Sequence, residues 1–210
     1  TFVNGEHYSG SSAVQGGALA LSGNNCNITN STFTNCSVVY YKDNSNASGG
    51  ALYIWGNNTN IVNCNFTNNT ASEDGGAIYI EGKDCTLNNT VFIGNVAHND
   101  GGAIEWNGDN GRVYNLTAIG NYADSAEGYY YGNPSEGSSK GGTLVLSGNN
   151  MNLEKLNITN SRVSANHYTG DKPLQGGAVF LTGNNCNISD SIFHKCSVNY
   201  NNGKSYGGAM

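Results

Sequence analysis

The chain has 210 residues, with 9 Lys+Arg against 15 Asp+Glu, a formal net charge of −6, 37% hydrophobic residues, and 30 Gly beside 36 Asn, about one residue in six. This balance leaves no basic footprint for nucleic acid or an anionic membrane, and no apolar run approaches the roughly 18 residues of a membrane-spanning helix. Asn and Gly are poor helix formers and Gly does not fall at every third position as in collagen, so an all-β repeat or low-complexity disorder remains.

Periodicity decides between them. From the N-terminus, Gly-Gly followed by a small residue recurs at Gly16, Gly49, Gly75, Gly101, Gly141, Gly176 and Gly207, at intervals of 33, 26, 26, 40, 35 and 31 residues. The two intervals of 26 define a minimal unit, and the others are that unit with insertions. Repeats of this length point to a solenoid. After each Gly-Gly comes an apolar column (Leu19, Leu52, Ile78, Ile104, Leu144, Val179), a variable residue, and a second apolar column (Leu21, Ile54, Ile80, Trp106, Leu146, Leu181). That alternation marks a half-buried strand. A glycine follows at Gly23, Gly56, Gly82, Gly108, Gly148 and Gly183, consistent with a turn of positive φ.

The second half of each unit reads apolar-x-Asn-x-x-apolar-x-x-Asn, as in Ile61, Asn63, Phe66, Asn69 and then Leu87, Asn89, Phe92, Asn95. Asn tolerates left-handed turn conformations, and stacked Asn side chains bond one another along a solenoid. The closing position is assigned to Asn69, Asn95, Asn121 and Asn166, with Cys36 and Cys196 as replacements. The predicted fold is an all-β, right-handed, single-stranded parallel β-helix of about six coils, spanning 1–210 as one unit. At about 4.8 Å per coil it forms a rod roughly 29 Å long. Disorder would not keep apolar residues in register over so many units.

Insertions fall mainly between the end of one unit and the next Gly-Gly, over 37–48, 122–140, 167–175 and 197–206, with a smaller one within 149–157. They stack along one edge of the rod, where solenoids carry their variable surface. Tyr collects there, including Tyr40, Tyr41, Tyr129, Tyr130, Tyr131 and Tyr168. Exposed Tyr provides rigid contact area at low entropic cost; packing of the loops against the body is the competing reading. Beside this edge, the outward face of the first strand carries Tyr53 and Trp55, then Tyr79 and Glu81, then Glu105 and Asn107. Aromatic faces beside carboxylates and amides suit sugar stacking, although such a stack also stabilises a sheet.

A longer period overlies the first. Residues 6–38 and 166–198 share 19 of 33 positions at an offset of 160. The chain therefore divides into a five-coil module at about 6–165 and the start of a second copy from about 166. Thr1 opens without Met or a basic segment and Met210 falls inside a strand, so the chain is expected to be cut from a longer tandem array. End-to-end continuation with further coils is the partnership this implies.

The six Cys occupy defined columns but do not pair consistently, which favours buried free thiols over a disulfide framework. There is no CxxC pair, and the four His are scattered, so neither metal nor cofactor is expected. Glu81 and Glu105, two positions out of register on neighbouring coils, are the candidate acid and base of a glycan-cleaving site, their backbones roughly 8 Å apart. Arg112 and Arg162 lie away from this face, leaving a lyase unsupported.

Gly-Gly-Ala-Ile at 75–78 and 101–104, with Phe66-x-x-Asn69 and Phe92-x-x-Asn95, resembles the GGAI and FxxN repeats of chlamydial polymorphic outer-membrane proteins. The Asn/Thr-rich style of Ile61 to Ala71 is similar to adhesin-like surface proteins of methane-producing archaea. Thr143 and Ala118 depart from the pattern in single coils. The resemblance implies a β-helical passenger or stalk at the cell surface that attaches to other cells, and it brings no catalytic residues. Sequons such as Asn57 and Asn65 fit an extracellular location. The expectation is a non-enzymatic adhesin module that contacts a glycan or a cell-surface protein of another cell, with no nucleic acid and no membrane insertion. A polysaccharide hydrolase or lyase and a purely structural stalk are the alternatives.

Overall fold

The computed structural model describes residues 1–9, 13–40, 47–124, 139–165, 173–200 and 204–210, and contains no helix among them. Three long sheets of parallel strands run the length of the chain, with ten, seven and six strands. The six-stranded sheet stacks Leu19–Leu21, Leu52–Ile54, Ile78–Ile80, Ile104–Trp106, Leu144–Leu146 and Val179–Leu181 in chain order. The ten-stranded sheet holds the second half of each unit, and the seven-stranded sheet holds the short strands that follow the ladder position. Each strand therefore pairs with its equivalent one coil away, in register, which is the parallel β-helix expected from the repeat.

Inside, the two apolar columns of the first strand meet the apolar residues of the ten-stranded sheet. Leu52, Ile54, Ile78, Ile80, Ile104 and Trp106 are fully buried. In-register stacking places Phe2, Phe33, Phe66 and Phe92 face to face, with ring centroids 4.8, 4.9 and 4.8 Å apart. That is the strand separation itself. Trp106 fits because the facing position is Gly111, where an added Cβ would lie 2.6 Å from its ring. All six Cys are free, as expected, and Cys36, Cys64 and Cys85 are buried.

Asparagine divides into two roles. One set occupies turns in the left-handed region, as at Asn63, Asn89 and Asn115 with φ of 54, 51 and 55°. The other set is buried and laddered. Cys36 N–H donates to Asn69 Oδ1 at 2.9 Å, Asn69 N–H and Nδ2 donate to Asn95 Oδ1 at 3.0 and 2.9 Å, and Asn95 repeats both bonds to Asn121. Each Nδ2 also donates to a Phe carbonyl, at Phe33, Phe66 and Phe92 in turn.

Three expectations are corrected. The ladder position of the next coil is Ser161, not Asn166, because Tyr122 pairs with Arg162; Asn166 lies outside the described residues. No insertion falls within 149–157, since one offset carries Trp106 to Leu146, Arg112 to Asn152 and Tyr122 to Arg162, which puts all the extra length at 125–138. The glycines at 56, 82, 108, 148 and 183 do not have positive φ; they are required by close approach. A Cβ at Gly56 would sit 1.8 Å from the carbonyl oxygen of Gly23 one coil below. The left-handed residue of that corner is the one two positions later, Asn58 or Asp84.

Asn95→Ala is expected to strand the Asn69 donors and the Phe66 carbonyl inside the coil. Buried groups left unpaired cost about 1–3 kcal/mol each, so the loss should reach about 3 kcal/mol. Asn89→Gly, at an exposed turn where glycine accepts the conformation, should cost less than about 1 kcal/mol. Urea unfolding midpoints at unchanged m-value measure the difference. Equal effects would refute the separation of roles.

Candidate functional site

The site grows from one strand and one corner. Along the outward face of the six-stranded sheet, Tyr53, Tyr79 and Glu105 form one column, and Trp55, Glu81 and Asn107 the next. The residue before each Gly-Gly forms a third column on the adjoining corner: Ser48, Asp74, Asp100, Lys140 and Gln175. Lys140 pairs with Gln175 in an isolated parallel bridge.

The aromatic residues meet as read from the sequence. Tyr53 stacks on Tyr79 with centroids 4.8 Å apart, and Trp55 tilts against Tyr53 at 4.3 Å. Their exposure differs from an open aromatic face. Tyr53 is only 4% exposed and Tyr79 half-buried, whereas Trp55 is 37% exposed. The Tyr53 hydroxyl donates to Glu81 Oε1 at 2.6 Å, and Asn107 Nδ2 donates to the Tyr79 hydroxyl at 3.0 Å and to Glu105 Oε1 at 3.1 Å. Burial raises both phenols above the ordinary tyrosine range, helped by Glu81 for Tyr53 and by Glu105 for Tyr79. Glu81 and Glu105 are held by different donors, Tyr53 and Asn107, and are two positions out of register because Tyr79 pairs with Glu105. Of Tyr40 only the backbone is described, at the end of strand Ser37–Tyr40, and Tyr41, Tyr129, Tyr130, Tyr131 and Tyr168 lie outside the described residues.

The corner column contributes a group that the sequence reading missed. One carboxylate oxygen from each of Asp74, Asp100 and Glu105 lies within 4.8 Å of the others, the set among the described residues with the spacing to hold a cation. Their charge already has partners. Asp74 Oδ1 accepts from Asn99 Nδ2 at 2.7 Å and from the Asp100 N–H at 3.2 Å. Asp100 accepts from the Lys140 N–H at 2.8 Å and pairs with its ammonium at 3.3 Å, which also sits 5.5 Å over the Phe180 ring. Burial, followed by the charges of Asp74 and Asp100, raises Glu105 far above the ordinary glutamate range, and its Oε2 has no donor. A proton on Glu105 supplies what that geometry lacks: a hydrogen bond toward Asp74. Asp100 is pushed up to about 6 and Glu73 to about 7, both chiefly by burial. The signal for this group was the residue preceding each Gly-Gly, read as a column of its own.

Groups whose pKa is raised on folding bind protons preferentially in the folded state. Their stabilisation is complete below the unfolded carboxyl values and is lost as pH rises through the folded ones. The melting temperature should therefore fall from about pH 5 to about pH 8 as Asp100 and Glu73 ionise. Glu105→Gln, which keeps an amide donor toward Asp74 and removes a titrating group, should flatten that slope. A melting temperature that rises over this range would contradict the assignment. Asp109, held down at about 2 by the Asn149 N–H and Lys83, titrates below this window.

Two segments, 63–81 and 89–105, match the Chlamydia polymorphic membrane protein repeat. No curated protein and no solved structure gives a significant match. Each matched segment starts at a left-handed turn Asn, passes through the stacked Phe and the laddered Asn, and runs on to the strand that carries Glu81 or Glu105. Two successive coils of the parallel β-helix are thus similar to this repeat.

Proposed function

We propose that the chain is an adhesin module of a surface-associated, outer-membrane-type repeat protein, attaching to a glycan or a protein on another cell. The repeat match supports surface association. The observation that carries attachment is Trp55, an indole 37% exposed on a Tyr53–Tyr79 stack that is itself held by Glu81 and Asn107. A fixed aromatic plane rimmed by amide and carboxylate groups offers stacking to the apolar face of a sugar and hydrogen bonds to its hydroxyls. Tyr53 belongs to the support beneath the indole.

Polysaccharide hydrolysis is the second reading, favoured by Glu105, whose raised pKa suits a general acid, with Glu81 as its base. It requires product release from a polysaccharide that disappears in Glu105→Gln and Glu81→Gln.

A glycan array and whole-cell binding separate the readings. Trp55→Ala is expected to weaken binding at least tenfold, and Tyr79→Ala to weaken it less. Absence of any glycan or cell binding, or unchanged binding by both variants, would remove the aromatic face as the site and leave a structural stalk.

A further inference from the structure

Lysine meets a carboxylate at three places among the described residues, and the three differ in kind. Lys83–Asp109 is the shortest at 2.9 Å, but its side chains are 60 and 30% exposed. Lys155–Glu154 spans 3.8 Å between chain neighbours in solvent. Lys140–Asp100, at 3.3 Å, is the most buried, with side chains 28 and 14% exposed. Asp74 and Glu105 lie beside it, one oxygen of each within 4.8 Å of an Asp100 oxygen.

The backbone fixes both partners. Asp100 and Lys140 each precede a Gly-Gly corner, and these corners are pinned together: Gly101 N–H donates to Lys140 O and Gly102 N–H to Gly141 O, both at 3.0 Å. The Asp100 carboxyl is gripped at both oxygens by one residue. Lys140 N–H donates to Oδ1 at 2.8 Å, and the Lys140 ammonium donates to Oδ2 at 3.3 Å. Groups held about 3–3.5 Å apart react at effective concentrations far above any reached in free solution. The Phe180 ring of the next coil lies 5.5 Å from the ammonium and adds an apolar wall. From the strand face comes Glu105, whose Oε2 is buried and without a donor.

We propose that Lys140 and Asp100 condense into an isopeptide bond joining neighbouring coils, with Glu105 as the proton relay. The ammonium gives one proton to Asp100 Oδ2 across the bond they already share, leaving a neutral amine beside a neutral acid. The nitrogen lone pair attacks Cγ, and the carbonyl electron pair moves onto Oδ1, where the Lys140 N–H stabilises it. Glu105 delivers its proton to the departing hydroxyl and takes one from the nitrogen. The Cγ–Oδ2 bond breaks with its electron pair on oxygen, Oδ1 returns its pair to carbon, and water leaves. One carboxylate and one ammonium become one amide and one water, so the net charge is unchanged. Once linked, Asp100 no longer ionises, and the fall in melting temperature with pH loses its contribution.

Burial favours the step at this pair, because it raises Asp100 and Glu105 toward their protonated forms. Asp109, held down by the Asn149 N–H and Lys83, stays a carboxylate in solvent and a poor electrophile. The bond also closes the longest of the Gly-Gly intervals, 40 residues, where a cross-link removes most freedom from the unfolded chain. It forms whatever the rod attaches to.

Mass spectrometry of the folded chain tests this. The intact parent chain is expected to be one water lighter than its sequence mass. Trypsin should then fail to cut after Lys140 and release residues 84–112 joined to 113–155 as one branched peptide. Lys140→Arg, which keeps the cation but removes the nucleophile, should have the full mass. Glu105→Gln should accumulate linked chain at least tenfold more slowly. A folded parent chain that keeps its full mass on prolonged incubation overturns the proposal. So does a water loss that survives Lys140→Arg, since Asp100–Gly101 can lose water by closing a succinimide on its own backbone. A branch between Lys83 and Asp109, or Glu105→Gln linking at the parental rate, equally overturns it.

Discussion

The separation between coils, 4.8–4.9 Å at the stacked Phe rings, is the constraint on which everything else depends. Every side chain sits directly above its equivalent, so each column must be compatible with itself at strand spacing. Phe satisfies this by stacking, Asn by donating from one amide to the oxygen of the next, and glycine by leaving room for a neighbouring carbonyl. The ladder is the most demanding case, because its groups are wholly buried and each amide serves two coils. Where the ladder ends, the column changes character: Cys36 gives the ladder its backbone N–H while its thiol turns to the Thr34 carbonyl, and Ser161 bonds Thr143 sideways instead of continuing upward.

The same spacing works against charge. Asp74 and Asp100 occupy one column on adjacent coils, where like charges face each other and neither can move along the axis. The chain answers with Lys140 one coil further along the same column and with a carboxyl of raised pKa, Glu105, reaching in from the strand face. Asn99 and the Asp100 N–H both donate to Asp74 Oδ1. This joins three successive coils at the corner beside the aromatic face, where Asn107 donates both to Glu105 and to the Tyr79 hydroxyl.

Much of the fold was legible in the sequence because stacking in register turns physical requirements into columns. The Gly-Gly interval, the paired apolar positions and the Phe column all follow from a coil that repeats itself. Function-bearing features were harder to see for the same reason. The position before Gly-Gly holds Gln15, Ser48, Asp74, Asp100, Lys140 and Gln175, a column without a common type, and only its pairing with Glu105 across the corner gives it meaning. Ser161 is not legible as a ladder residue, because the column is marked by Asn while the geometry asks only for a small polar group. Tyr53 alternates outward from its strand yet is covered, with Trp55 tilted against its ring and Tyr79 stacked on it.

A perfectly repeating rod presents the same surface at every coil and can distinguish nothing but position along its axis. Any surface that such a rod could use for recognition has to lie where a column changes its residue. On the strand face, that change runs from Ala20 through Tyr53 and Tyr79 to Glu105, Val145 and Phe180, and it reaches its greatest chemical contrast between Trp55 and Asn107. The buried columns beneath remain uniform across the same coils, Leu52, Ile78, Ile104 and Leu144 in one and Phe33, Phe66 and Phe92 in another. Because the interior repeats, the exterior is free to vary without disturbing register. The variable face can hold a rigid, exposed indole because the layers under it do not vary.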